Sequence, residues 1–113
     1  IRDAKQRNAV RERLYETGRD VIELSAWQIG EYAGNALELT GTQGRVLAMS
    51  ARAAASLTPG QRAAIERSAR LLPLAVPTIE QAGGSVRCML AGVHLARRGT
   101  AELQIQAKMA SSA

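Results

Sequence analysis

A chain of 113 residues, 46% apolar and 22% charged, has the balance of one ordinary globular domain with a modest core. A single cysteine excludes an internal disulfide, a single cysteine with a single histidine falls short of the four ligands of a structural zinc site, and no apolar run approaches the ~20 residues that cross a bilayer. The expectation is therefore a cytoplasmic protein with no metal, no cofactor and no membrane partner.

The net charge of +5 raises a nucleic-acid partner, and the pattern of charge argues against one. Thirteen of the fifteen basic residues are Arg, spread along the whole chain, and Asp3, Glu12, Glu16 and Asp20 interleave with the early ones. That arrangement suits a solvated helix face with ion pairs better than a stripe that tracks phosphates. Three aromatics and no Phe leave little for a base-stacking platform.

The opening "IRDAKQRNAV" has no Met and carries charge where a signal peptide needs an apolar core, so it reads as the middle of a longer chain. Asp3 to Thr17 reads as a helix. Asp3 caps it, Gln6 stands at the third position, Val10 and Leu14 mark one face and Gly18 closes it. "DVIEL" (20–24) is predicted as a short buried strand, and "SAWQIGEYAGN" as a turn of helix running into a glycine. "ALELTGTQGRVLAMS" predicts a hairpin that turns at Gly41 to Gly44, with Leu37, Leu39, Val46 and Leu47 as its apolar residues.

The second half repeats this order. Thr58-Pro59-Gly60-Gln61 is a capping box with Pro at the first helical position, and Ala64, Ile65, Ala69 and Leu72 are the expected buried face. "LAVP" (74–77) is predicted as a strand closed by Pro77, and "SVRCMLAGVHLA" (85–96) as a long strand. "EYAGNAL" aligns with "EQAGGSV" at an offset of 49, residue 31 against residue 80. A period near 50 residues points to repeated supersecondary units.

Cys88 admits two readings. A free Cys is among the most buried residue types and usually packs as a small hydrophobe. Against that, Gly83 and Gly84 allow close approach of backbone to a ligand, and Arg87 supplies a field that lowers a thiol pKa in a partly desolvated site. A nucleophilic Cys needs a proton-transfer partner within reach. On a continuous strand His94 lies six residues and roughly 20 Å away, at ~3.3 Å per residue, so it reads as an ordinary strand-end histidine.

The segments "VIELSAWQIGEYAGNALEL", "LAMSARAAASLTPGQ" and "TIEQAGGSVRCMLAGVHL" follow one another from about residue 3 to about residue 95. In that order they resemble the C-terminal part of the guanidino-group-modifying, or pentein, superfamily, which includes arginine deiminases, dimethylarginine dimethylaminohydrolases and amidinotransferases. They are most like the bacterial arginine-deiminase-related proteins described as citrulline-utilization hydrolases, of the amidinotransferase family.

The resemblance implies an α/β (α+β) fold, a five-unit αβ propeller of which this chain supplies about two helix-strand-hairpin units. Those units would span about residues 1–52 and 53–98, followed by a divergent tail, 99–113. It further implies that Cys88 attacks the central carbon of a guanidino or ureido small-molecule substrate and passes through a covalent thiouronium-type intermediate. Asn35, Gly84 and Ser85 are the expected substrate-binding positions, with Asn35 and Gly84 equivalent by internal symmetry.

The superfamily's catalytic histidine and its substrate carboxylates come from earlier units, so the isolated chain is expected to be inactive. Glu31 and Glu80, each just ahead of a glycine turn, read as surface or capping residues. The alternative function is a non-catalytic module of the same fold that forms homo-oligomers or docks on a partner. In the tail, Leu103, Ile105, Ala107 and Met109 alternate, which leaves helix and strand both open.

Overall fold

The computed structural model describes residues 1–95 and 100–112. Helix α1 (Ala4–Glu16) is capped by Asp3, whose carboxylate accepts the Gln6 amide at 2.7 Å, and it closes on Gly18. Its expected apolar face does not enter a core: α1 buries no residue, and Val10 is exposed. Helix α2 (Ala26–Gly30) follows, then the hairpin strands β1 (Leu37–Gly41) and β2 (Gly44–Ser50). They pair antiparallel with Leu39 opposite Val46 and Gly41 opposite Gly44, so Thr42 and Gln43 form the turn. This is the predicted hairpin.

Helices α3 (Ala51–Ser56) and α4 (Pro59–Glu66) then carry the chain over to β3 (Arg70–Leu74), which lies parallel to β2. A parallel neighbour requires such a crossover, because a tight turn only reverses the chain. The sheet order is β1-β2-β3, with Pro73 in the edge strand β3, where its missing amide donor costs no ladder bond on the open side. Met49, Ala53, Ala54, Leu57, Leu71 and Ala33 form the core between sheet and helices. Helix α5 (Pro77–Gln81), a 3₁₀ turn (Val86–Met89) and helix α6 (Thr100–Ser111) complete the elements described.

The mixed α/β class follows from this arrangement of helices around a small three-stranded sheet. Three predicted strands do not form as read. Residues 20–24 run without regular structure, because their polar backbone is met by a side chain and not by a strand: the Glu23 carbonyl accepts the Gln61 side-chain amide at 2.7 Å. The strand expected at 74–77 lies at Arg70–Leu74 instead, and Pro77 opens α5, as its fixed φ and missing donor permit at a helix start. In consequence Ala69 and Leu72 belong to the bend and strand after α4, not to its face.

The long strand at 85–96 is replaced by the 3₁₀ turn and an irregular segment through residue 95, Ala96 lying outside the described residues. Its donors are used locally. The Cys88 amide donates to the Ser85 carbonyl at 3.0 Å and the Arg87 amide to the Asn35 side chain at 2.8 Å. The open choice in the tail resolves as helix, α6.

Two capping boxes join the halves of the molecule. Ser25 and Gln28 cap α2 reciprocally, and Thr58 and Gln61 cap α4 in the same way. The second was legible as Thr58-Pro59-Gly60-Gln61; the first follows the same spacing. The two glutamines then meet: Gln28 Nε2 donates to Gln61 Oε1 at 2.7 Å and to the Ser56 carbonyl at 2.8 Å. Gln28 is buried, and each of its polar atoms has a partner.

Candidate functional site

Helices α2 and α5 end in one hydrogen-bond pattern. After α2, the Tyr32 amide donates to the Ile29 carbonyl and the Ala33 amide to the Gln28 carbonyl. After α5, the Gly83 amide donates to the Glu80 carbonyl and the Gly84 amide to the Ile79 carbonyl. Both are Schellman motifs, which place one residue in the left-handed region just past the helix. That residue is Gly83 at φ 89° in one and Tyr32 at φ 65° in the other. The helix ends therefore correspond at an offset of 51, Gly30 against Gln81, where the sequence identities give 49.

That difference corrects the symmetry between Asn35 and Gly84. Asn35 stands three residues past its left-handed position and Gly84 one residue past its own, so the two are not equivalent. They come together all the same, at a single thiol. Asn35 Nδ2 donates to Cys88 Sγ at 3.0 Å, while Asn35 Oδ1 accepts the Arg87 amide at 2.8 Å. The second bond fixes the amide's orientation, since a backbone N–H accepts nothing and must face the oxygen. A β-carbon at Gly84 would lie 3.4 Å from Cys88 Cβ and 3.8 Å from Sγ, against the thiol.

Ser85 holds this loop from inside. It is fully buried, and its hydroxyl donates to Glu80 Oε1 at 3.2 Å while its carbonyl accepts the Cys88 amide. Val86, also buried, anchors the 3₁₀ turn beneath Cys88. Cys88 itself is exposed and is not part of the core described above.

Hydrogen bonds from the Asn35 side chain and the Ser85 backbone hold the thiol below its usual pKa, with the Arg87 charge a lesser contribution and desolvation acting the other way. Donors to sulfur favour the thiolate, which accepts more strongly than the neutral thiol. The expectation that Arg87 acts by its field thus stands beside a larger effect, the side-chain amide.

The two glutamates divide. Glu31 forms a two-point ion pair with Arg52, at 2.5 and 2.8 Å, which holds its carboxyl below the usual range. Glu80 is buried, contrary to the surface role expected of it, because its carboxylate is the acceptor for buried Ser85 and its carbonyl accepts the Tyr32 hydroxyl at 2.8 Å. The signal for that pairing, a Glu five residues before a Ser across two glycines, is too common to read without the fold. His94 makes no hydrogen bond to Cys88; its ring lies over Gly92, where a β-carbon would meet Nε2 at 3.0 Å.

Among the described residues no group of three His, Cys, Asp or Glu side chains is placed to hold a metal ion, and no helix is long and apolar enough to cross a membrane. An open cavity between α1 and α2, lined by Arg7, Arg11, Glu23 and Ile29 among others, includes none of the site residues. The site is thus an exposed thiol with a side-chain amide donor, on a turn held by a buried serine, and no acid or base side chain is hydrogen-bonded to the sulfur.

A family model described as N,N dimethylarginine dimethylhydrolase, eukaryotic, matches residues 1–95. That span contains Asn35, Gly84, Ser85 and Cys88 and stops before α6. No curated protein and no solved structure matches the chain.

Proposed function

The chain belongs to the N,N-dimethylarginine dimethylhydrolase family, and from that premise we propose that it carries the nucleophile of a hydrolase acting on guanidino C–N bonds. Methylated arginines are the first substrate class to consider, because the matching family is described by that activity. The arginine and citrulline substrates implied by the resemblance to arginine-deiminase-related proteins are the alternatives.

The observation that carries the reading is the Asn35–Cys88 hydrogen bond at an exposed thiol. In the proposed reaction the Cys88 thiolate adds to the guanidino carbon, forming a C–S bond. The tetrahedral adduct expels the dimethylamino group as dimethylamine, which leaves with a proton, and a thiouronium remains on the enzyme. Water adds to the same carbon, the C–S bond breaks, and the ureido product leaves with the thiol regenerated. Asn35 holds sulfur on the attacking side, and the backbone at Gly84 and Ser85 leaves the approach to sulfur open. The proton-transfer group and the substrate's carboxylate partners belong, on this reading, to further units of the propeller, of which residues 1–98 supply about two of five.

Alkylation of Cys88 by iodoacetamide, followed across pH, tests the role of the thiol. The folded chain should react with a midpoint below the ordinary thiol value of about 8.5, and Asn35→Ala should raise it. A midpoint at or above that of the unfolded chain, unmoved by Asn35→Ala, rejects the proposal.

A second reading, a homo-oligomerising or docking module, has its own observation: Met89, Leu90, Val93 and Leu95 are all exposed just past the thiol. Sedimentation of the chain over a range of concentrations tests the oligomerising form, since a strictly monomeric chain leaves that form without support.

A further inference from the structure

We propose that Tyr32 is a positioning residue for the thiol, bracing the Asn35 loop against the Cys88 loop from a backbone seat that glycine occupies at the equivalent helix end. The inference rests on the reading of Cys88 as a nucleophile oriented by Asn35.

Among the described residues Tyr32 is the one non-glycine residue with positive φ, at 65°. A bulky side chain there is disfavoured by contact between its β-carbon and the backbone, which is why the matching seat after α5 is Gly83. Residues persist in such conformations where surrounding contacts over-determine them, and they cluster at functional sites.

Tyr32 has such contacts at each end. Its hydroxyl donates to the Glu80 carbonyl at 2.8 Å, across 48 residues of sequence. The Arg52 guanidinium lies 5.7 Å from its ring centroid, itself fixed by Glu31, the residue before Tyr32. Its own carbonyl accepts the Asn35 amide at 2.8 Å.

From the carbonyl, then, one bond reaches Asn35 and so the sulfur. From the hydroxyl, the path runs to Glu80, whose carboxylate accepts the Ser85 hydroxyl, and from Ser85 to the Cys88 amide. The two paths close on the Asn35–Cys88 hydrogen bond. A residue present only to fill the core would need the ring alone. The hydroxyl is what spans the two loops, and phenylalanine lacks it.

Iodoacetamide alkylation of the whole 113-residue chain, with Tyr32→Phe, Asn35→Ala and the double variant, tests the brace. Tyr32→Phe keeps the ring and should slow alkylation at neutral pH roughly threefold to tenfold, the range spanned by one lost hydrogen bond. Its midpoint should move up in pH, as that of Asn35→Ala does. The double variant should react no more slowly than Asn35→Ala alone, because residues acting through one bond are not additive.

Tyr32→Gly gives an independent check, since it relieves the backbone while removing both contacts. Reaction as slow as that of Tyr32→Phe supports the brace, and the unaltered rate in Tyr32→Gly overturns it. A Tyr32→Phe midpoint equal to that of the unaltered chain, with Asn35→Ala shifted, overturns the positioning role and leaves the Asn35–Cys88 reading intact. If Asn35→Ala shifts nothing, the underlying reading fails and the inference with it.

Discussion

At the residue scale the site depends on two side chains that fold inward and one that does not. Glu80 and Ser85 are buried and answer each other, while Cys88 stays at the surface with Asn35 as its donor. The sign of the resulting pH dependence is determined by which state the donors favour. The thiolate is favoured in the folded chain, so the folded pKa is the lower one. The folded state therefore gains stability as pH rises from the folded value to the unfolded one, and that gain is absent at lower pH. Ser85 carries a separate prediction. Ser85→Ala removes the hydroxyl donor from a buried carboxylate, so it should cost about 1–3 kcal/mol of unfolding free energy, read from urea denaturation. It should also broaden the pH profile of Cys88 alkylation, because the turn that presents the thiol loses its internal anchor. An unchanged denaturation midpoint would show that Glu80 finds another donor without Ser85. None of this pairing was legible from spacing, since Asn35 and Cys88 lie 53 residues apart and the repeat placed Asn35 opposite Gly84.

At the scale of elements, the features that were legible are those closed within four residues. Asp3 with Gln6 and Thr58 with Gln61 cap their helices as the sequence predicts, and the hairpin turns between Gly41 and Gly44. A cap or a two-residue turn satisfies its own backbone, so its sequence contains the whole interaction. A strand does not. Residues 20–24 and 85–95 have apolar runs suited to strands, but among the described residues no neighbouring strand meets them, and donors and acceptors in them go to Gln61, Asn35 and Ser85 instead. The union of the two capping boxes through Gln28 and Gln61 is likewise a tertiary event. Gln28→Ala should leave the Ser56 carbonyl and the Ser25 amide without their side-chain partners, and the buried Ser56 carbonyl left unpaired should cost about 1–3 kcal/mol. Urea denaturation of this variant beside Gln61→Ala checks it. Coupling between the two in the double variant is the expected outcome, since they share a bond.

At the scale of the whole molecule, a mixed sheet with a parallel crossover and two similarly closed short helices brings one exposed thiol to one side-chain amide. Nothing bonded to Cys88 shuttles a proton. The 113 residues by themselves should therefore release neither ammonia nor dimethylamine from arginine, citrulline or dimethylarginine, although Cys88 should still be alkylated. Cys88-dependent release of either amine in a direct assay would overturn the view that further units complete the site. The sequence by itself determined the α/β class, the capped helices, the hairpin and, through the ordered segments around "AGN" and "GGSVRC", the guanidino-modifying superfamily. These are local or compositional properties, and local bonds are written in adjacent residues. Only the tertiary structure decided that Tyr32 takes a glycine's seat, that Glu80 is buried, and that Asn35 meets Cys88 across the offset between two helix ends. Each of those depends on a partner some fifty residues away or on a core that many residues build together, and no spacing along the chain encodes such a distance.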